Sequence, residues 1–196
     1  MEGLEVTKRV IDRLAELLEK RVEELKPLTL AEVAEVLREE LCRVWDSVEP
    51  PPGFVKRDEC SLEPVDVKGY LERLRDEIVR LANHLIDVAM EALAKHVETM
   101  DGNYYARLSW LLVSHSSRVA HRLTKLASML GSANPSLVEL SAILIALRAL
   151  ALYRLVSKLD SKRLEKLIEN LEAFLAGAEG EEETLIDRLG EARVEP

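Results

Sequence analysis

Two stretches of this sequence gather side chains whose types and spacing could do chemistry. In the first, Glu77, His84, Asp87 and Glu91 follow one another at steps of seven, three and four, which in a helix sets them on one face. Such a face could ligate a metal between helices, but the paired Glu-x-x-His motifs of carboxylate-bridged metal bundles are absent. It reads as a solvated acidic face holding one histidine, and neither metal nor cofactor is expected. In the second, Arg107, Arg118, His121, Arg122 and Lys125 lie along roughly one side of a helix, with Ser114 between them. This stripe could meet a phosphate backbone. It could equally pair with the acidic face of the preceding helix, or receive an acidic partner, and it is the expected partner-binding surface. His115 falls on the apolar seam, where a hydrogen-bonded core histidine is expected. Arg148 is the one charged residue between Leu140 and Tyr153 and is expected to be a buried charge.

Nothing else converges into a catalytic constellation. The sequence has no glycine-rich loop to cradle phosphate and no H-E-x-x-H metal pair. Ser114, Ser116 and Ser117 flank His115, but adjacency in sequence does not make a nucleophile–base pair. Helical RNA-cleaving domains of the HEPN type place an Arg and a His at a wider fixed spacing near a helix end. The nearest pairs here, Arg80 with His84 and Arg118 with His121, are too close together to match it. A non-catalytic protein is therefore expected, with a HEPN-like RNA-binding or ribonuclease domain as an alternative.

The elements that must position these residues are helices. Val10, Ile11, Leu14, Leu17, Leu18, Val22 and Leu25 make one apolar stripe over about 4–25, stopped by Pro27. Thr29 and Glu32 form a capping-box pattern for a second helix carrying Val33, Leu37, Leu41, Val44 and Val48. Pro50-Pro51-Pro52-Gly53 ends it, and a connection over 49–65 follows, with Phe54 and Val55 as anchors. Asp66 caps a third helix with a seam at Val67, Leu71, Leu74, Ile78, Leu81, Leu85, Val88 and Ala92, ending near Met100. The fourth buries Leu108, Leu112, His115, Val119, Leu126 and Met129. Asn134 then Pro135 start a fifth helix, cap before first-turn proline, apolar nearly all round and so central. Leu164, Leu167, Ile168, Leu171, Phe174 and Leu175 mark a sixth. The sequence thus predicts an all-α, antiparallel bundle of about six helices over 1–176, with 177–196 as an acidic, mobile linker and tail.

Composition limits the function classes. Net charge is −9, and 177–196 holds seven acidic and two basic residues, so the body is closer to neutral. General nucleic-acid binding is disfavoured by the lack of a broad positive footprint. The start has no basic-then-apolar signal segment, and no uncharged apolar run reaches the roughly 18 residues that span a bilayer. A cytoplasmic protein away from membranes is expected. Gln is absent and Asn occurs four times among abundant Glu, Lys and Arg, the amide-poor bias of hyperthermophiles. Cys42 and Cys60 have no histidines at zinc-site spacing; a buried free thiol at Cys42 and an incidental one at Cys60 are expected, a disulfide being the hyperthermophile alternative.

Leu62-Glu63-Pro64-Val65-Asp66, then Tyr70 and an amphipathic helix, resembles the segment that leads into the central helices of archaeal GINS replication subunits. Tyr104–Leu130 is similar to the second, Arg- and Lys-rich helix of that pair. The closing run from Leu185 to Arg193 resembles the end of the family's small β domain, although the fifth helix stands where strands would precede it. The resemblance implies association with other replisome components. Read from the residues alone, the chain is a non-catalytic helical interaction or scaffold protein, a subunit of a homo- or hetero-oligomeric complex, whose partner is another protein or itself.

Overall fold

Val6, Val10, Leu14, Leu18 and Val22 are all buried on one face of α1 (Glu2–Glu23). The computed structural model describes residues 2–192 and contains six α-helices and one β-hairpin. Leu25 closes α1 in the left-handed region at φ 54°. There Leu25 N–H donates to Val22 O and Lys26 N–H to Arg21 O, the paired bonds of a Schellman end. Thr29 caps α2 (Leu30–Arg43) with the full capping box. The Thr29 backbone N–H, helped by Arg21, holds the Glu32 carboxyl below its ordinary range.

The buried face of α2 differs from the expected one. Leu30, Val33, Val36 and Glu40 are buried, Leu37 and Leu41 are half-buried, and the helix stops at Arg43, before Val44 and Val48. Arg13 of α1 reaches Glu40 at 3.1 Å, and this long-range ion pair draws a charged residue into the contact. Periodicity within α2 could not reveal that.

The connection over 49–65 is more ordered than expected. After a 3-10 turn at Trp45–Ser47, β1 (Phe54–Arg57) pairs antiparallel with β2 (Ser61–Pro64). Strand alternation turns Phe54 and Lys56 to one face and Val55 to the other. Phe54 packs edge-on to Tyr70 at 5.5 Å, and Lys56 sits over the Trp45 ring at 5.2 Å. Val55, expected as a second anchor, is exposed. The cysteines are not free thiols: Cys42 and Cys60 form a disulfide, and Cys42 is exposed. The bridge ties the hairpin tip to the end of α2.

Asp66 caps α3 (Val67–Ala94) by accepting from Gly69 N–H. α3 packs along α4 (Gly102–Ser128), and α5 (Pro135–Lys158) lies against α1, α3 and α4. α3 ends at Ala94 rather than near Met100. The six residues that follow form a turn around buried His96, which bonds Ser161 Oγ at 2.9 Å and Val156 O at 2.6 Å. Val67, the expected start of the seam, is exposed. Asn134 caps α5 and Pro135 opens it, as its sequence requires. Ile145, Leu152, Tyr153 and Val156 are wholly or almost wholly buried. By length and apolarity α5 could cross a bilayer, but 67% of its most apolar window is buried within the bundle.

α6 (Ser161–Glu191) brings the largest correction. It does not stop at 176: it continues through Gly177 and Gly180 to Glu191, so 177–191 is neither linker nor irregular tail. Two interior glycines weaken a helix by about 1 kcal/mol each. Against that cost, Ala178, Glu182, Ile186 and Leu189 are buried and the acids pair with arginines of other helices. The run from Leu185, likened to the end of a β domain, is helical to Glu191; Arg193 lies outside the described residues.

Candidate functional site

Four of the five expected partner-binding residues, Arg118, His121, Arg122 and Lys125, line one groove of about 490 Å³ between α4 and α6. Glu183, Ile186 and Asp187 form the opposite wall. One helix face places the cations, because 118, 121, 122 and 125 recur at steps of three, one and three. Arg107 stands apart, near the start of α4.

The arginines of this stripe are engaged within the chain. Arg107 pairs with Glu172 at 2.8 Å and approaches Glu169 at 3.8 Å. Arg118 meets Glu179 at 2.9 Å, and Arg122 reaches Glu182 at 3.0 Å and Glu183 at 3.1 Å. The partner is therefore α6, not the acidic face of α3. Glu77, His84, Asp87 and Glu91 are all exposed, and none makes an ion pair with a described residue. Among the described residues no three His, Cys, Asp or Glu side chains gather closely enough to hold a metal ion. His121 and Lys125 are exposed in the groove without an ion-pair partner among the described residues.

Arg148 sits where its sequence context puts it. It is 4% exposed, donates from Nη1 to Leu28 O at 2.8 Å and pairs with Glu181. Its Nη2 donates to Ala178 O at 3.3 Å and to Glu182 at 3.4 Å. Glu182 is thus held between Arg148 and Arg122, almost sealed from solvent. Burial pushes its carboxyl above the ordinary range, while the two guanidiniums oppose that rise. Glu181 also accepts from Leu30 N–H at 3.1 Å, so a single network joins the start of α2 to α4, α5 and α6.

His115 is buried, as expected of a core histidine. Its Nδ1 lies 2.8 Å from the Tyr153 hydroxyl, with the two rings edge-on. Burial, reinforced by Arg148, Arg122 and Arg118, lowers its pKa to about 3, so it is neutral at physiological pH. Burial pushes the Tyr153 phenol upward in turn. The pair is therefore a fixed, uncharged hydrogen bond rather than an activated acid–base couple.

Sequence reasoning missed Glu181 and Glu182, because a run of acids after glycines reads as a linker. Arg107, Arg118 and Arg122 meet Glu172, Glu179 and Glu182 at separations of 65, 61 and 60 residues. That near-constant offset is what two parallel helices produce. His96 gave no signal, since its partners lie on α5 and α6. No protein-family model, curated protein or solved structure matches this chain.

Proposed function

We propose that this chain is a non-catalytic helical interaction protein, working as a subunit of a homo- or hetero-oligomeric complex. The observation that carries the reading is the fate of the basic stripe. With Arg107, Arg118 and Arg122 each paired to an α6 carboxylate, little free positive charge is left for a polyanion. Apolar side chains remain on the surface instead: Trp110 and Val113 on α4, and Leu137, Leu140 and Ile143 on α5. Helical faces of that kind suit a protein partner. The amide-poor composition and the disulfide together fit an intracellular hyperthermophilic setting.

Copurification of the native chain under mild conditions tests this directly. A stoichiometric protein partner, or a stable self-assembly, supports it; recovery as a lone monomer with a turnover activity overturns it. His121 and Lys125 keep a nucleic-acid alternative open to measurement. Were Arg118, Arg122 and Lys125 contacts to duplex phosphates, log affinity against log salt would have a slope of about −3. Tight binding with that slope, lost in the Arg118/Arg122 double alanine variant while stability is kept, would replace the protein-scaffold reading. A GINS-like subunit would bring replisome components with it. A HEPN-like ribonuclease would cleave RNA and lose that activity on replacing His121 or His84.

A further inference from the structure

A second cavity, of about 260 Å³, lies between α4 and α6 on the far side of Arg118 from the groove. Trp110, Leu111, Ser114 and His115 of α4 line it, facing Leu175 and Ala176 of α6. Two features of its lining are the indole of Trp110 and the Nε2 of His115. Trp110 is 71% exposed, a large indole left in water beside an opening. His115 is only 5% exposed, yet its Nε2 has no hydrogen-bond partner among the described residues. Of the fully sealed side-chain polar atoms among the described residues, Glu40 Oε2 alone lacks a partner; His115 Nε2 is therefore not fully sealed, and the residue lines this cavity.

The hydrogen bond to Tyr153 fixes what that nitrogen offers. Tyr153 is fully buried, and its hydroxyl has His115 Nδ1 as its one partner. A buried O–H must donate somewhere, so it donates to Nδ1, and the ring proton resides on Nε2. The cavity thus presents an N–H donor at its floor, an apolar strip of Leu111, Leu175 and Ala176 bordered by Ser114, Arg118, Glu172 and Glu179, and an indole at its rim. Charge is balanced around it: Arg118 pairs with Glu179, and Glu172 with Arg107. An ion gains nothing here. At about 260 Å³, and open to solvent on one side, the space has room for one aromatic ring with a polar substituent.

We propose that this cavity binds a small, uncharged aromatic molecule bearing an oxygen acceptor, of the phenol or aromatic-amide class. The ring stacks against Trp110 and the α6 wall, and the oxygen accepts from His115 Nε2–H. This site shares Trp110 with the surface offered to a protein partner, but ligand titration and copurification test the two readings separately, and failure of the first leaves the second untouched.

The test uses the full chain carrying Trp45→Phe, so that Trp110 is the sole tryptophan. Its fluorescence is titrated with p-cresol, with benzamide, and with toluene as the probe lacking an acceptor. Saturable 1:1 binding is expected for p-cresol and benzamide, with half-saturation on the order of 1 mM for ligands this small. Toluene is expected to bind about fivefold more weakly, the loss of one hydrogen bond. Ala176 is exposed on its helix, so Ala176→Leu fills the cavity without touching the core and should abolish saturation at an unchanged melting temperature. His115→Phe should erase the preference for p-cresol over toluene. Absence of saturation, equal affinity for the three probes, or binding that survives Ala176→Leu overturns the proposal.

Discussion

Arg148 is surrounded by protein, and Arg118 has a side chain 56% exposed. Truncating Arg148 would leave buried Glu182 with Arg122 as its remaining counter-charge and Leu28 O without its buried donor, a loss of about 3–5 kcal/mol. Truncating Arg118 removes a surface pair with Glu179, about 0–1 kcal/mol. Denaturant melts of the two alanine variants should separate accordingly; equal losses would mean that the Arg148 network contributes no more than a surface pair. His115 gives a pH dependence whose sign is fixed. Its pKa falls from 6.5 in the unfolded chain to about 3 in the fold, so the folded state declines a proton that the unfolded state accepts. The stabilisation is complete above pH 6.5 and is lost as pH falls toward 3, at about 1.4 kcal/mol per pH unit. Between pH 7 and pH 4.5 the wild type should lose about 2–3 kcal/mol more than His115→Gln, measured by chemical denaturation so that the carboxylates common to both proteins cancel.

Single elements carry separable contributions of their own. Leu25 ends α1 at φ 54° with its side chain 63% exposed, a conformation that costs a non-glycine residue about 1–2 kcal/mol. Leu25→Gly relieves this and loses some chain entropy, so a net stabilisation of about 0.5–1 kcal/mol is expected in thermal melts. The Cys42–Cys60 bridge closes a loop with a separation of 18 residues, a constraint worth about 3 kcal/mol. Its span covers the hairpin and the 3-10 turn, not the seams between long helices. Reduction should therefore speed amide exchange over 54–64 while α3, α4 and α5 keep their protection. Uniform loss of protection would show the bridge to be part of the global fold.

Across the whole molecule, α5 is the element on which the others depend. Ile145 is fully buried on it, where a carboxylate would lose its hydration. Replacing it by Asp removes about 1.5–3 kcal/mol of burial and adds a buried charge, so the Ile145→Asp chain should be unfolded by circular dichroism. A folded variant with an unchanged melting curve would mean that α5 is not the centre of the bundle. The exposed half of α5, at Leu137, Leu140 and Ile143, is where self-association would be visible. Sedimentation over a wide concentration range would then show a dissociating oligomer, and a monomer throughout would assign those residues to a different partner.

The sequence by itself determined that six helices form and which face of α4 turns inward. Leu108, Leu112, Val119 and Leu126 are buried as their spacing requires, and Asn134–Pro135 opens α5 where cap and proline place it. These are local rules: periodicity, caps and breakers act within a few residues, so one strand of text contains them. Arg148 was legible for the same reason, as a lone charge in an apolar helix. Tertiary structure decided which helix each charge meets. Glu181 and Glu182 read as linker acids after Gly177 and Gly180, because two glycines lower local helix propensity. Arg122 and Arg148, 60 and 34 residues away in sequence from Glu182, supply the counter-charge that these acids meet, beside the Arg107 and Arg118 pairs to the same helix. The pairing of Cys42 with Cys60, the burial of Glu40 by Arg13 and the cavity beneath Trp110 belong to the same class. Each depends on distances between elements, which no spacing along the chain encodes.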